Sequence, residues 1–113
     1  MEDKNLSWKE FMKVEMRVGT IIQAEHFPEA RNPSYKLLID FGNEDIRKSS
    51  AQITHHYSTN DLIGKQIIAV VNFPPKQIAN MMSECLVMGS VDQEGKVTLI
   101  QPDSSVKNGE RIG

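Results

Sequence analysis

The chain opens with a helix signal. In SWKEFMK, residues 7–13, Ser7 can cap a helix start and Glu10 can return the bond, which is the capping-box pattern. Trp8, Phe11 and Met12 fall at i, i+3 and i+4 and make one apolar stripe. So short a helix is stable only if that stripe docks on something. The period then changes to two. Across VEMRVGTIIQAEHF, residues 14–27, Val14, Met16, Val18, Ile22 and Ala24 share one parity, and Glu15, Arg17, Gln23 and Glu25 share the other. This predicts a long, half-buried strand with the first set inward. Gly19 in its middle predicts a bulge or sharp bend.

PEARNPS, residues 28–34, is a loop with two prolines. Residues 35–42, YKLLIDFG, predict a second strand with Leu37, Ile39 and Phe41 inward, and residues 44–53 a weaker third. Residues 54–64 predict a loop with one helical turn that Gly64 ends. The fourth strand, QIIAVVNF at 66–73, and the fifth, CLVMG at 85–89, do not alternate. A strand apolar on both faces is buried on both faces. One small barrel has a single interior, so the outside of these two strands needs a cover: the chain's own ends or a second subunit. A short strand, KVTLI at 96–100, precedes a tail punctuated by Pro and Gly. Five to six short strands with few helices predict an all-β fold, a small barrel.

At 113 residues the chain suits one domain with one core. No apolar stretch approaches the roughly 20 residues of a membrane helix. The first ten residues lack an apolar signal core, and Cys85 is the only cysteine, so no internal disulfide can form. Together these predict a cytoplasmic protein without membrane insertion. The net charge of −2 argues against a strongly basic nucleic-acid binder. From Ile46 to Ser83, however, Arg47, Lys48, Lys65 and Lys76 face a single anion, Asp61, so a modest basic face is one expectation and scattered solvated charge the other.

No catalytic constellation is visible. His55 and His56 are adjacent, point apart on any regular element and lack zinc-ligand spacing, so no metal or cofactor is expected. Lys48-Ser49-Ser50 has no partner to orient a base. Cys85 sits in an apolar strand, where burial makes a thiol inert. Asp40, Glu44 and Asp45 cluster at a turn and are expected to be solvated at a strand end. The informative segment is NFPPKQIANMMSE, residues 72–84. It is expected to be irregular, because Pro74-Pro75 cannot donate to a ladder. It carries Phe73, Ile78, Met81 and Met82, a soft apolar surface suited to varied partners. The alternative is that Met81 and Met82 plug the barrel.

NFPPKQIANMMSECLVMG, with KSSAQIT at 48–54 and FPEARNPSYKLLIDFG at 27–42, resembles the CsaA-type branch of the tRNA-binding-domain family. VEMRVGTIIQAEHFPEA fits the opening strand of that family. The resemblance runs from about Phe11 to Gly113. It implies a five-stranded OB-fold Greek-key barrel over about 14–90, a helix at about 7–13 and a C-terminal dimerisation or extension segment at about 91–113. It further implies a homodimer with export-related chaperone activity toward preproteins, associated with the secretory ATPase SecA. Other members bind tRNA. They carry several basic residues in and after an Asn-x-x-Pro motif, whereas here Lys76 is followed by Gln77, Ala79 and Asn80. Two sites follow from these readings. A peptide groove is expected from Arg17, Lys36, Leu38, Ser49, Ser50, Gln52, Asn72, Phe73, Met81 and Met82. An RNA surface, the alternative, is expected from phosphate contacts by Lys36, Arg47, Lys48 and Lys76, with Tyr57 or Phe73 stacking on a base.

Overall fold

The computed structural model describes residues 3–113. Along the chain come α1 (Trp8–Phe11), β1 (Met16–His26), β2 (Tyr35–Asp40), β3 (Ile46–Ala51), α2 (Thr59–Leu62) and β4 (Gln66–Val70). They are followed by β5 (Lys76–Ile78), β6 (Met81–Ser83), β7 (Leu86–Val87), β8 (Gly89–Val91) and β9 (Val97–Leu99). The main sheet runs β3-β2-β1-β4-β7, all antiparallel. The fourth strand returns beside the first, the Greek-key order. β1 is shared: Met16–Thr20 pair with β4 and Thr20–His26 with β2. The sheet curls until β3 meets the segment leading into β7. There Glu84 N–H donates to Lys48 O (2.8 Å), Lys48 N–H to Glu84 Oε1 (2.9 Å), and the Ser49 hydroxyl to Cys85 O (2.9 Å). The result is a nearly closed five-stranded antiparallel barrel of the OB type.

The core holds Ile21, Leu37, Ile39, Phe41, Ile53, Ile67, Ala69 and Val71, with Leu62 of α2 fully buried among them. Leu37, Ile39 and Phe41 point inward as the alternation predicts. β1 differs from expectation. Its inward residues are Gly19 and Ile21, and the bulge falls between Ile21 and Gln23. Past that irregularity Ala24 packs on the core, while Ile22 is thrown outward. Gly19 serves close approach instead: a Cβ there would lie 2.6 Å from Ile39 Cγ2 and 2.8 Å from Phe41 Cε1. Val18 faces the other way yet is buried. Its N–H and C=O both bond the returning C-terminal tail, to Glu110 O (3.0 Å) and from Gly109 N–H (2.7 Å). The Gln66 side-chain amide brackets Val106 at both main-chain groups (2.7 and 3.1 Å). The tail is therefore an extra edge on β1.

The capping box at Ser7 and Glu10 is formed, both bonds at 3.1 Å. Its apolar stripe, however, does not dock on the barrel: Trp8 is 84% exposed and Met12 is also exposed. The arm after α1 is held at its base, where Asn72 Nδ2 donates to Lys13 O (2.6 Å) and Glu15 N–H donates to Asn72 Oδ1 (3.0 Å). Segment 72–84, expected to be irregular, contains the β5–β6 hairpin, with Ala79 at φ +50° in its turn. β4 ends at Val70, short of the expected Phe73 and before the prolines are reached, and the chain after them is long enough to fold back on itself. CLVMG gives only the short β7, because Gly89–Val91 leaves to pair with β9. The non-alternating fourth strand has its core row at Ile67 and Ala69, continued by Val71; its outer row, Ile68 and Val70, is half-buried and buried. Met16, Val70 and Leu86 are cross-strand neighbours on that outer face, and Leu86 is exposed.

Gly19→Ala should destabilise the barrel by about 1–3 kcal/mol, because the new methyl overpacks Ile39 and the Phe41 ring. Urea unfolding measures this; an unchanged midpoint would mean that the ring swings aside without cost.

Candidate functional site

Two hollows flank the β5–β6 hairpin. The larger, about 780 Å³, is walled by the β1–β2 loop (Ala30, Arg31, Asn32, Ser34) and by Phe73, Pro74 and β5. Its floor is Ser50 and Gln52 at the end of β3, with Ser83, Cys85 and Leu86 from the barrel seam. The smaller, about 270 Å³, lies over the outer face of β1–β3 and is lined by Gln23, Glu25, Lys36, Leu38 and Lys48, with Asn80 and Met81 from the hairpin tip. These are the places where an OB-fold usually takes its ligand, the face of its second and third strands and the loops beside it.

The expected peptide-groove residues separate into three groups. Ser50, Gln52 and Phe73 meet in the larger hollow, where Phe73 is 57% exposed. Lys36, Leu38 and Met81 meet in the smaller; Met81 is nearly buried there, so it is part plug and part lining. Met82 is exposed but lines neither hollow. The remaining three are engaged elsewhere. Ser49 is fully buried with its hydroxyl on Cys85 O. Asn72 holds the N-terminal arm through both ends of its amide. Arg17 is paired with Glu15 (2.6 Å) and donates to Gly109 O (2.8 Å). Strand parity and sequence adjacency placed these three near the ligand, but the closure of the barrel and its two chain ends occupies them.

The expected phosphate contacts divide as well. Arg47 is chelated by Asp45 and donates to Val71 O (2.6 Å), and Asp45 holds it more firmly protonated. Lys36 lies 3.5 Å from Glu25 and over the Phe27 ring. Among the described residues Lys48 and Lys76 form no ion pair, and neither does Arg31, which the sequence reading passed over. The clue to Arg31 was its place between two prolines in the β1–β2 loop, one of the two loops that border an OB-fold site. Arg31 and Lys76 are the charged residues of the larger hollow, and no carboxylate lines it. Lys65 lies apart, beside Tyr57. Tyr57 is turned to the barrel, its hydroxyl accepting from Leu99 N–H (2.9 Å), so it is no stacking platform.

Among the described residues no cluster of three or more His, Cys, Asp or Glu could hold a metal ion. Asp40 accepts from Gly42 N–H within its turn. Burial, more than any other cause, pushes the Cys85 thiol up to about 11. No helix among the described residues is long and apolar enough to cross a membrane.

The family model described as "Putative tRNA binding domain" matches residues 16–111. The crystal structure of chaperone CsaA from Bacillus anthracis str. Ames superposes with a TM-score of 0.92 at 48% identity, covering 96% of this chain and 99% of that one. The CsaA chaperone protein from Picrophilus torridus gives 0.89 at 47% identity, covering 96% and 100%. The chain thus belongs to the tRNA-binding-domain family and, within it, to the CsaA type. It is also 32% identical over 112 residues to a methionine–tRNA ligase of Methanocaldococcus jannaschii. It matches 99% of its own length there but spans only 17% of the ligase, so the match does not carry over the ligase reaction.

A thiol whose pKa is raised stays protonated. At pH 8, native Cys85 should react with a disulfide reagent about a hundredfold more slowly than the ordinary thiol of pKa 9.0. The raised value also means that the folded state binds this proton more tightly than the unfolded chain, so its contribution to stability is complete below about pH 9 and declines as pH rises toward 11. Thiol titration in buffer and in denaturant checks the first point; equal rates would place Cys85 outside the core.

Proposed function

We propose that this chain is an export-related chaperone of the cytoplasm that holds extended, unfolded preprotein segments in the larger groove and works as a homodimer. The observation that carries the reading is the make-up of that groove. An exposed Phe73 stands beside Ile78, Leu86 and Pro74, with Ser50, Gln52 and Asn32 as neutral polar partners. Apolar side chains of a client rest on the first group. The hydroxyl and amides bond its main chain, which is the same in every sequence. The similarity to two proteins named as chaperones supports this. Affinity is modest, micromolar or weaker, because ordering a flexible chain offsets much of the contact energy. A holdase must release, and two grooves on a dimer raise avidity without new contacts.

The dimer accounts for apolar surface that the barrel leaves bare, Trp8, Met12 and Val14 on the N-terminal arm. A four-residue helix with an open stripe is stabilised by docking, and a second copy is the occupant of this reading. SecA is the downstream partner that the resemblance implies.

A second reading, tRNA binding, has its own support in the unpaired Arg31, Lys48 and Lys76 and in the family description. It differs in its salt response. Three phosphate contacts to single-stranded RNA give a log–log slope of about −2. A client segment without net charge, held by apolar contacts and main-chain bonds, leaves affinity nearly flat even though Arg31 and Lys76 line the groove.

Titrating the full chain with a permanently unfolded preprotein at two salt concentrations tests both. Phe73→Ala should weaken polypeptide binding about five- to thirtyfold with the fold intact, since an exposed aromatic anchor is removed. Absence of binding at tens of micromolar, or an unaltered affinity for the variant, would overturn the chaperone reading. Titration with tRNA at the same two salt concentrations that gives a slope of about −2, with no polypeptide binding at tens of micromolar, would establish the alternative.

A further inference from the structure

Strand edges converge on the larger groove. β3 and β7 are the terminal strands of the main sheet, and β5 is one strand of a two-stranded hairpin. All three contribute to the walls or floor: Ser50 from β3, Leu86 from β7 and all of Lys76–Ile78 from β5. An edge strand presents main-chain N–H and C=O groups that an added strand can pair.

The edges differ in what they have left to offer. β3 is already laced into the seam. Lys48 bonds Glu84 through both its N–H and its C=O, and Ser50 N–H donates to Ser83 Oγ (3.2 Å). Cys85 O, next to β7, accepts from Ser49 and from Ser83. β5 has no such lacing. Among the described residues its main chain pairs only with β6, through Lys76–Ser83, Gln77–Met82 and Ile78–Met81. The one side-chain bond near it, Gln77 Nε2 to Ala79 O, stays within the hairpin. In an antiparallel ladder successive residues turn their N–H and C=O alternately toward and away from the partner. A strand of three residues with one neighbour therefore keeps at least one outward pair, on the wall of a groove that already holds Phe73.

The geometry points to β5 as the strand to which a client polypeptide adds: the bound segment lies extended along Lys76–Ile78, pairs main chain to main chain, and sends alternate side chains toward Phe73 and toward solvent. This rests on the polypeptide reading above and specifies its mode. RNA has no alternating N–H and C=O groups and cannot use such an edge. The same features that bound the edge set its limits. Pro74 and Pro75 bring no N–H, so pairing cannot run on past Lys76, and the turn at Ala79–Asn80 closes the other end. Only a short segment fits, which favours one client strand over the edge-to-edge stacking that longer free edges invite.

The mode has a signature that side-chain contacts lack. Reduced, carboxyamidomethylated α-lactalbumin is titrated first into the full chain, then overlapping decapeptides from it, and the tightest decapeptide is remade with a single backbone N-methyl group at each position in turn. Strand addition predicts a loss of about tenfold at one position, or at two positions two residues apart, and little change elsewhere, since N-methylation removes one hydrogen-bond donor. Amide exchange in Lys76–Ile78 should slow when the peptide binds. Binding with no position-specific loss, or protection confined to Lys48–Gln52, would overturn the β5 assignment while leaving the polypeptide reading intact. If the unfolded protein does not bind at tens of micromolar, the polypeptide reading and this mode fail together; if it binds but no decapeptide does at millimolar concentration, the mode alone fails.

Discussion

The fold depends on a single strand having two sets of neighbours. β1 gives its first half to β4 and its second half to β2, and the sheet must turn sharply at the point of exchange. Two local features permit the turn. Gly19 removes the side chain that would collide with Ile39 and Phe41, so the sheet can close tightly on its core. The extra residue at Ile22 restores the phase of the strand, so that Ala24 meets the core again. The exchange also leaves one edge of Met16–Val18 without β2, and the tail from Gly109 to Ile112 fills it. Barrel curvature, tail path and seam thus descend from one constraint.

The groove is a by-product of incomplete closure. A fully laddered barrel would leave no floor between β3 and β7. Here side chains of Ser49, Ser83 and Glu84 lace the seam in place of a continuous ladder, and the hairpin stands over it. Ser49 is spent on this lacing, while Ser50, Gln52 and Phe73 just beyond it line the larger hollow. Engaged and open side chains therefore alternate along neighbouring positions, Ser49 against Ser50 and Asn72 against Phe73.

That alternation explains how far the sequence was legible. Element types and order followed from periodicity and turn chemistry: the capping box at Ser7, the break at Gly64, the inward row Leu37, Ile39 and Phe41. The phase of β1 did not, because a bulge at an isoleucine looks the same in sequence as an uninterrupted strand; Gly19 marked the tight closure but not the bulge. The hairpin within 72–84 was hidden by its prolines. At the candidate site, Phe73, Ser50 and Gln52 of the expected groove line the larger hollow, whereas the engagement of Arg17, Ser49, Asn72 and Arg47 depends on residues distant in sequence, Gly109, Cys85, Lys13 and Val71, that no local pattern reveals. Arg31 was overlooked because a loop cation has no periodicity to mark it.

The N-terminal arm and the C-terminal tail come together where β1 begins. Arg111 Nη2 donates to Met12 O (2.9 Å), one step from where Asn72 pins the same arm. A unit whose polypeptide enters and leaves at one spot can be grafted into a larger host with little distortion of either. This makes the barrel a portable cassette, and the stretch of similar sequence within a much longer ligase is what such portability looks like across proteins.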